Sequence, residues 1–357
     1  MKLARCRSRY FQRLAFVGLI AFFWLSAVRP NAAQAVTPTE AGTFWVKNYI
    51  QPQFEAFVTA ADRLAAQLNT MCYAATPSEV TRRQTAHDFR SLVLAWSRVE
   101  FLRFGPLIEA NRYEKISFWP DVRSVGLRQI PKIAALYEKG DAVDLSGQSV
   151  AVQGLPAMEY LLYRKQGLLD LPTGELVGQP FATGDCRYAL AIAENLGRIG
   201  RDIVHDWSVS GRYGHDFAEP GPNNALYRNQ TEVVSEGIKA LSTGVQFLKD
   251  VKLTAKKGKM PYWRSQLANE ALVASLSGMR EFLLAGQLHL QDKGWAATQF
   301  GAELKRAERI IASAPVTESA GDYQAAVLIL ENAKALLDQD IAPALNVGLG
   351  FNALDGD

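Results

Sequence analysis

From Val46 onward, the apolar residues Ile50, Phe54, Phe57, Ala61, Leu64, Leu68 and Cys72 recur at steps of three or four. That is the period of an α-helix with one buried face, and it continues in further blocks down the chain. No stretch sustains the two-residue alternation of a half-buried strand, so strands should be few. Pro52 is tolerated in the first block as a kink or near a first turn. At Thr76-Pro77-Ser78-Glu79 a second helix is expected, with Thr76 as N-cap, Pro77 at the first helical position and Glu79 as the capping-box acid. It carries Phe89, Leu92, Val93, Trp96, Val99 and Leu102, and stops at Phe104-Gly105-Pro106.

Helix-length blocks follow at 127–137, 150–163 and 186–207, with a Gly/Pro/Thr-rich loop at 167–184. The stretch 211–224, "GRYGHDFAEPGPNN", reads as a boundary. Four more periodic blocks come after it, at 225–248, 263–288, 295–312 and 322–337. The expected fold is therefore all-α, two up-and-down helical bundles packed side by side with few or no strands. The expected division is 1–35 as a signal peptide, 36–212 as an N-terminal bundle, and 213–357 as a C-terminal bundle with an acidic tail.

The signal-peptide expectation rests on the first thirty-five residues. Lys2, Arg5, Arg7, Arg9 and Arg13 form a basic region before the apolar run "LAFVGLIAFFWLSAV". That run is too short to span a bilayer, which takes about 20 residues. Ala33-Gln34-Ala35 supplies a small-x-small site, predicting cleavage after Ala35 and export to the periplasm or cell envelope. Cleavage would remove six basic residues and no acid, turning a net charge of +3 into −3. The apparent basicity thus belongs to the leader, and nothing argues for a nucleic-acid partner. No later apolar run approaches membrane length. Of three cysteines, Cys72 and Cys186 would remain, and in an oxidising compartment a pair reads first as a disulfide, the alternative being two buried thiols.

Catalytic signatures are missing. His87, His205, His215 and His289 are scattered, no His-Glu-x-x-His occurs, and His215 and Glu219 fall among glycine and prolines. Gly-x-Ser-x-Gly, a Walker A loop, a dinucleotide-binding glycine fingerprint and a Cys-x-x-Cys-His haem site are all absent. What stands out is Glu159 inside the apolar helix pattern "GLPAMEYLLY" (154–163). A buried carboxyl must be paired, protonated or ligand-bound. Arg123 and Arg128 of "FWPDVRSVGLRQI" are candidate partners, and Trp119 and Asp121 are candidates to line the same pocket. A structural Glu–Arg bridge is the plainer alternative. Asp355 and Asp357, in the terminal "GLGFNALDGD", read either as an acidic tail or as oxygen donors folding over a site.

Taken together, "AWSRVEFLRFGP" (95–106), "FWPDVR" (118–123), "GLPAMEYLLY", "CRYALAIAENL" (186–196), "PGPNNALYR" (220–228), "YWRSQLANEAL" (262–272) and "GFNALDGD" (350–357) resemble the imelysin-like proteins of bacterial envelopes, peptidase family M75. The resemblance implies two four-helix bundles, export, and an association with iron acquisition. It also implies a Gly-x-His-x-x-Glu signature between the bundles. Gly154 and Glu159 match that signature, and Pro156 stands where the histidine would be. Proline offers no ligand atom, so a two-residue metal grip is not expected here. The expected function is a non-enzymatic binding or accessory protein of the envelope serving iron or other metal uptake. Its site would draw on Glu159, Trp119, Asp121, Arg123, Arg128, Asp355 and Asp357. Glu159 is the candidate ligand for a metal ion, iron or calcium, and other envelope or metal-uptake proteins are the expected partners. A metallopeptidase and a structural envelope protein remain the alternatives.

Overall fold

The computed structural model describes residues 40–74, 77–170, 183–255, 259–315 and 323–349. The expected leader, Thr76, Asp355 and Asp357 lie outside the described residues. Among those described, the regular structure is helical throughout and contains no strand. No helix among them is long and apolar enough to cross a membrane.

The first helical block runs without a break from α1 (Ala41–Trp45) through one wide turn, Val46–Ile50, into α2 (Gln51–Tyr73). The wide turn sits just ahead of Pro52, whose missing N–H the helix absorbs by local widening rather than by a break. Next come α3 (Glu79–Val99), the short α4 (Arg112–Ile116), α5 (Val125–Lys139), α6 (Leu155–Tyr163) and α7 (Gly184–Asp206). The C-terminal half holds α8 (Arg212–Ala218), α9 (Gln230–Phe247), α10 (Ala268–Ala285), α11 (Gly294–Ser313), α12 (Gln324–Leu336) and α13 (Ala342–Ala344).

Several boundaries differ from those the sequence suggests. Ser78 rather than Thr76 caps α3, its extended backbone presenting Oγ to the Thr81 N–H at 3.1 Å. The same chemistry caps α7 through Thr183 and α9 through Asn229. The block expected at 150–163 splits into a short turn, Val150–Val152, and α6, because Gly154 interrupts it as the N-cap. The block expected from 263 begins as an irregular loop, and its helix starts at Ala268. α8 begins at Arg212, the last residue of the expected N-terminal bundle.

α2 packs on α3 and α7, with α5 and α6 against α7, while α10, α11, α12 and α9 pack in sequence. α3 against α10 joins the two sets. Apolar positions of every long helix feed one continuous buried cluster. Within it the Trp45 ring stacks on Phe282 at 4.7 Å and its Nε1 donates to the Phe282 carbonyl at 2.7 Å, so α1 is anchored in the C-terminal half. Cys72, at the end of α2, and Cys186, in the first turn of α7, are fully buried and form a disulfide that clamps this helix pair.

Candidate ligand-binding site

Gly154 lets α6 begin where it does. A Cβ at this position would lie 2.3 Å from the Ile116 carbonyl oxygen and 2.5 Å from that of Lys115, so the chain passes α4 too closely for any side chain. Pro156 then occupies the first turn of α6, where a backbone N–H would have no helical acceptor. Residues three and four positions on share its face, and Pro156, Glu159 and Tyr160 together line a cavity of about 380 Å³.

Glu159 is 4 % exposed. Its Oε1 accepts hydrogen bonds from the Ser265 backbone N–H at 2.9 Å and from the Ser265 hydroxyl at 2.8 Å. Burial pushes its carboxyl above the ordinary range, against the opposing pull of the Ser265 bonds and the Arg264 guanidinium. Ser265 belongs to the loop before α10, in which Tyr262 (φ 59°) and Gln266 (φ 61°) take left-handed backbone. The Arg264 guanidinium lies 4.4 Å from the Trp263 ring centroid and 5.6 Å from that of Tyr160.

Trp119 and Asp121 both line the cavity with Glu159. Trp119 Nε1 donates to the Lys259 carbonyl at 2.9 Å, tying the two loops that form the walls. Asp121 uses both carboxylate oxygens, accepting from Val125 N and Gly126 N at 2.8 Å each, and so caps α5. Arg123 and Arg128 are exposed and do not line the cavity. Arg128 donates to the Arg123 carbonyl, and the guanidinium beside Glu159 is that of Arg264. Sequence reasoning missed Ser265, Arg264 and Tyr262. They sit in "YWRSQ", more than a hundred positions from Glu159, in a segment read as part of a helical block from 263, and the family resemblance of "YWRSQLANEAL" and its aromatic-plus-arginine content were the available signals.

The donor set does not fit a bare transition metal. Among the described residues no group of three His, Cys, Asp or Glu side chains converges. Asp121 is already committed to backbone N–H groups, which leaves Glu159 as the one other acid among the described lining residues. What the walls can hold is an organic ligand of small-molecule size, with Glu159 as a hydrogen-bonding group at the floor and Arg264 and Lys259 around it.

Fold and site thus define an all-helical protein with an aromatic cavity built over one buried carboxyl. The chain belongs to the imelysin family, peptidase M75, whose model matches residues 50–342. It is similar in structure to an imelysin-like protein from Psychrobacter arcticum 273-4, at 19 % identity, TM-score 0.71, and coverage of 88 % of this chain and 98 % of that one. A second similar structure is a protein provisionally named an iron-regulated protein A precursor, from Parabacteroides distasonis ATCC 8503. It is 12 % identical with TM-score 0.63, covering 86 % and 97 % of the two chains. No curated protein sequence matches.

Proposed function

We propose that this chain is a non-enzymatic binding or accessory protein of the bacterial cell envelope, exported by a leader cleaved after Ala35, and that its ligand fills the cavity over Glu159. The observation that carries the reading is the buried Glu159 carboxyl, oriented by two bonds from Ser265 at the floor of a ligand-sized aromatic cavity. Burial of a carboxyl is costly, and a polar group aimed into a pre-formed apolar pocket is the usual means of orienting a ligand. A role in metal uptake is supported by the name of one structural neighbour, which calls that protein iron-regulated. In this reading the metal is cargo, carried in a complex whose organic part fills the cavity, because a bare ion would find too few ligands among the described residues. A peptidase would need a metal and a base, for which the described residues offer no converging set.

The test is mass spectrometry under native conditions on protein purified from its own envelope fraction, beside elemental analysis. The expected result is a co-purifying organic ligand, with or without metal, that is lost in Glu159→Gln. Stoichiometric metal with no organic ligand, or the same ligand retained by Glu159→Gln, would overturn it. Calorimetric titration with ferrous, ferric or calcium ion alone is expected to show no saturable binding that depends on Glu159.

A further inference from the structure

Another cavity, of about 250 Å³, shares the segment Phe118-Trp119-Pro120 with the Glu159 cavity but is lined by none of Glu159, Tyr160, Tyr262 or Arg264. Its charged lining residues are Arg103 and, exposed at the rim, Glu114. The guanidinium carbon of Arg103 lies 4.2 Å from the Tyr113 ring centroid and 4.1 Å from that of Phe247, so its planar group is held by two aromatic rings. Phe247 is braced in turn by Trp119, edge to face at 6.1 Å. Stacking of this kind occupies the faces of a guanidinium and leaves its N–H edges to find acceptors. One edge donates to the Tyr113 hydroxyl. Among the described residues Arg103 pairs with no carboxylate.

Glu100, an interior carboxylate that borders the same inner space as Arg103, is already taken. Glu100 Oε1 accepts from the buried Lys252 ammonium and from the Ser275 hydroxyl at 2.7 Å. Arg103 borders this pair on its inner side and the 250 Å³ cavity on its outer side. In the buried part of the cluster two cations, Arg103 and Lys252, therefore face one acid, Glu100. Glu114, the acid on the cavity's rim, is exposed, where water and salt screen it. The remaining walls are largely apolar, with Ile108, 55 % exposed, at the mouth.

We infer that this cavity is an anion subsite, in which the clamped Arg103 guanidinium takes the carboxylate or phosphate group of a small ligand whose apolar part lies against Ile108 and Trp119. A planar fork pre-oriented by two rings loses little freedom on binding an oxyanion bidentately, which is the setting in which arginine outperforms lysine. The apolar walls favour an organic carboxylate over a bare inorganic anion, and two probes separate the sources. Benzoate stands for the first and inorganic phosphate for the second.

The experiment is calorimetry and ligand-observed NMR on the full mature chain, with each probe titrated into the millimolar range. The expected result is saturable benzoate binding, weakened at least about tenfold in Arg103→Gln, as loss of a charge-assisted bidentate contact requires. The same binding should persist in Glu159→Gln, which separates this site from the one over Glu159. Should Arg103→Gln fail to fold, Ile108 decides, since a charge placed at the exposed mouth leaves the interior alone. Ile108→Glu should weaken binding and Ile108→Lys strengthen it. Phosphate binding in place of benzoate, with the same dependence on Arg103, supports the anion site and assigns it to phosphate. Neither probe binding the wild-type chain, or equal affinities for wild type and these variants, would overturn the inference.

Discussion

The Glu159 carboxylate and Ser265 meet across 106 positions of sequence, through a backbone bond of 2.9 Å and a hydroxyl bond of 2.8 Å to the same oxygen, Oε1. This contact joins α6 to the loop before α10 and sets the floor of the cavity. It also fixes how the site responds to pH. Burial raises the Glu159 pKa above its ordinary value near 4.5, so between that value and the folded one the native chain holds a proton that the unfolded chain has released. The stability linked to this group is fully present below the unfolded pKa and is lost as pH rises through the folded one. Glu236 is raised by burial too and adds to the same trend in the wild type, so a comparison at Glu159 alone is needed. Glu159→Gln keeps an acceptor for Ser265 but cannot ionise. Its urea midpoint should rise relative to the wild type as pH goes from 4 towards 8, and parallel midpoints across that range would show that Glu159 does not titrate in the interior.

The Ser265 hydroxyl is the group holding Oε1 that can be removed without touching the backbone bond. Ser265→Ala should destabilise the fold by about 1–3 kcal/mol, the typical cost of leaving a buried acceptor short of a partner. It should also move the Glu159 pKa further up, since the hydroxyl bond favours the charged form. Denaturation at pH 5 and pH 8 checks both effects, and the loss should be larger at pH 8.

How much of this was legible in the sequence depends on what each residue contributes. The helices were, because a buried face repeats along each one, as from Phe54 to Cys72. Glu159 was visible as an acid in an apolar pattern, and Trp119 and Asp121 as neighbours in a polar-aromatic segment. The partners were not. Arg123 and Arg128 lie close to Asp121 in sequence, but both are exposed, Arg128 turning onto the Arg123 backbone. Arg264 reaches the cavity from a loop with left-handed turns at Tyr262 and Gln266, where the sequence pattern had suggested that a helix already runs. Arg103 was not singled out at all, since nothing in sequence places Phe247 beside it.

Gly154 offers a test of the geometry beneath the site. Gly154→Ala would drive a methyl to within 2.3 Å of the Ile116 carbonyl oxygen, so either α4 or the start of α6 must move. The expected cost is about 1–3 kcal/mol, as for other overpacked positions, together with weakened binding over Glu159. Gly221→Ala is the control: no atom lies within 4 Å of its added methyl, and it should change the thermal midpoint little. Equal midpoints for the two variants would refute the close approach.

The Cys72–Cys186 bond closes a loop of 114 residues between α2 and α7, both sulfurs being fully buried. Constraint of the unfolded chain over that length corresponds to about 4–5 kcal/mol in the entropy model. Cys72→Ser with Cys186→Ser should therefore lower the denaturant midpoint substantially while leaving helicity intact under native conditions. The wild type should resist reductant until denaturant is present, as alkylation with and without urea would show.

The Glu100–Lys252 pair makes the last case, because its net contribution differs from the cost of breaking it. Both side chains are less than 10 % exposed, and they meet directly, with Ser275 as a second donor to Glu100. Burial lowers the Lys252 pKa and the Glu100 carboxylate holds it up, so the ammonium depends on its partner. Lys252→Met alone strands a buried carboxylate and should cost about 3–5 kcal/mol. Adding Glu100→Gln removes the stranded charge while Ser275 keeps an acceptor, so the double variant should recover much of the loss. Urea unfolding of the four chains in a double-mutant cycle measures the coupling directly. Losses that simply add would mean the two charges are solvated independently.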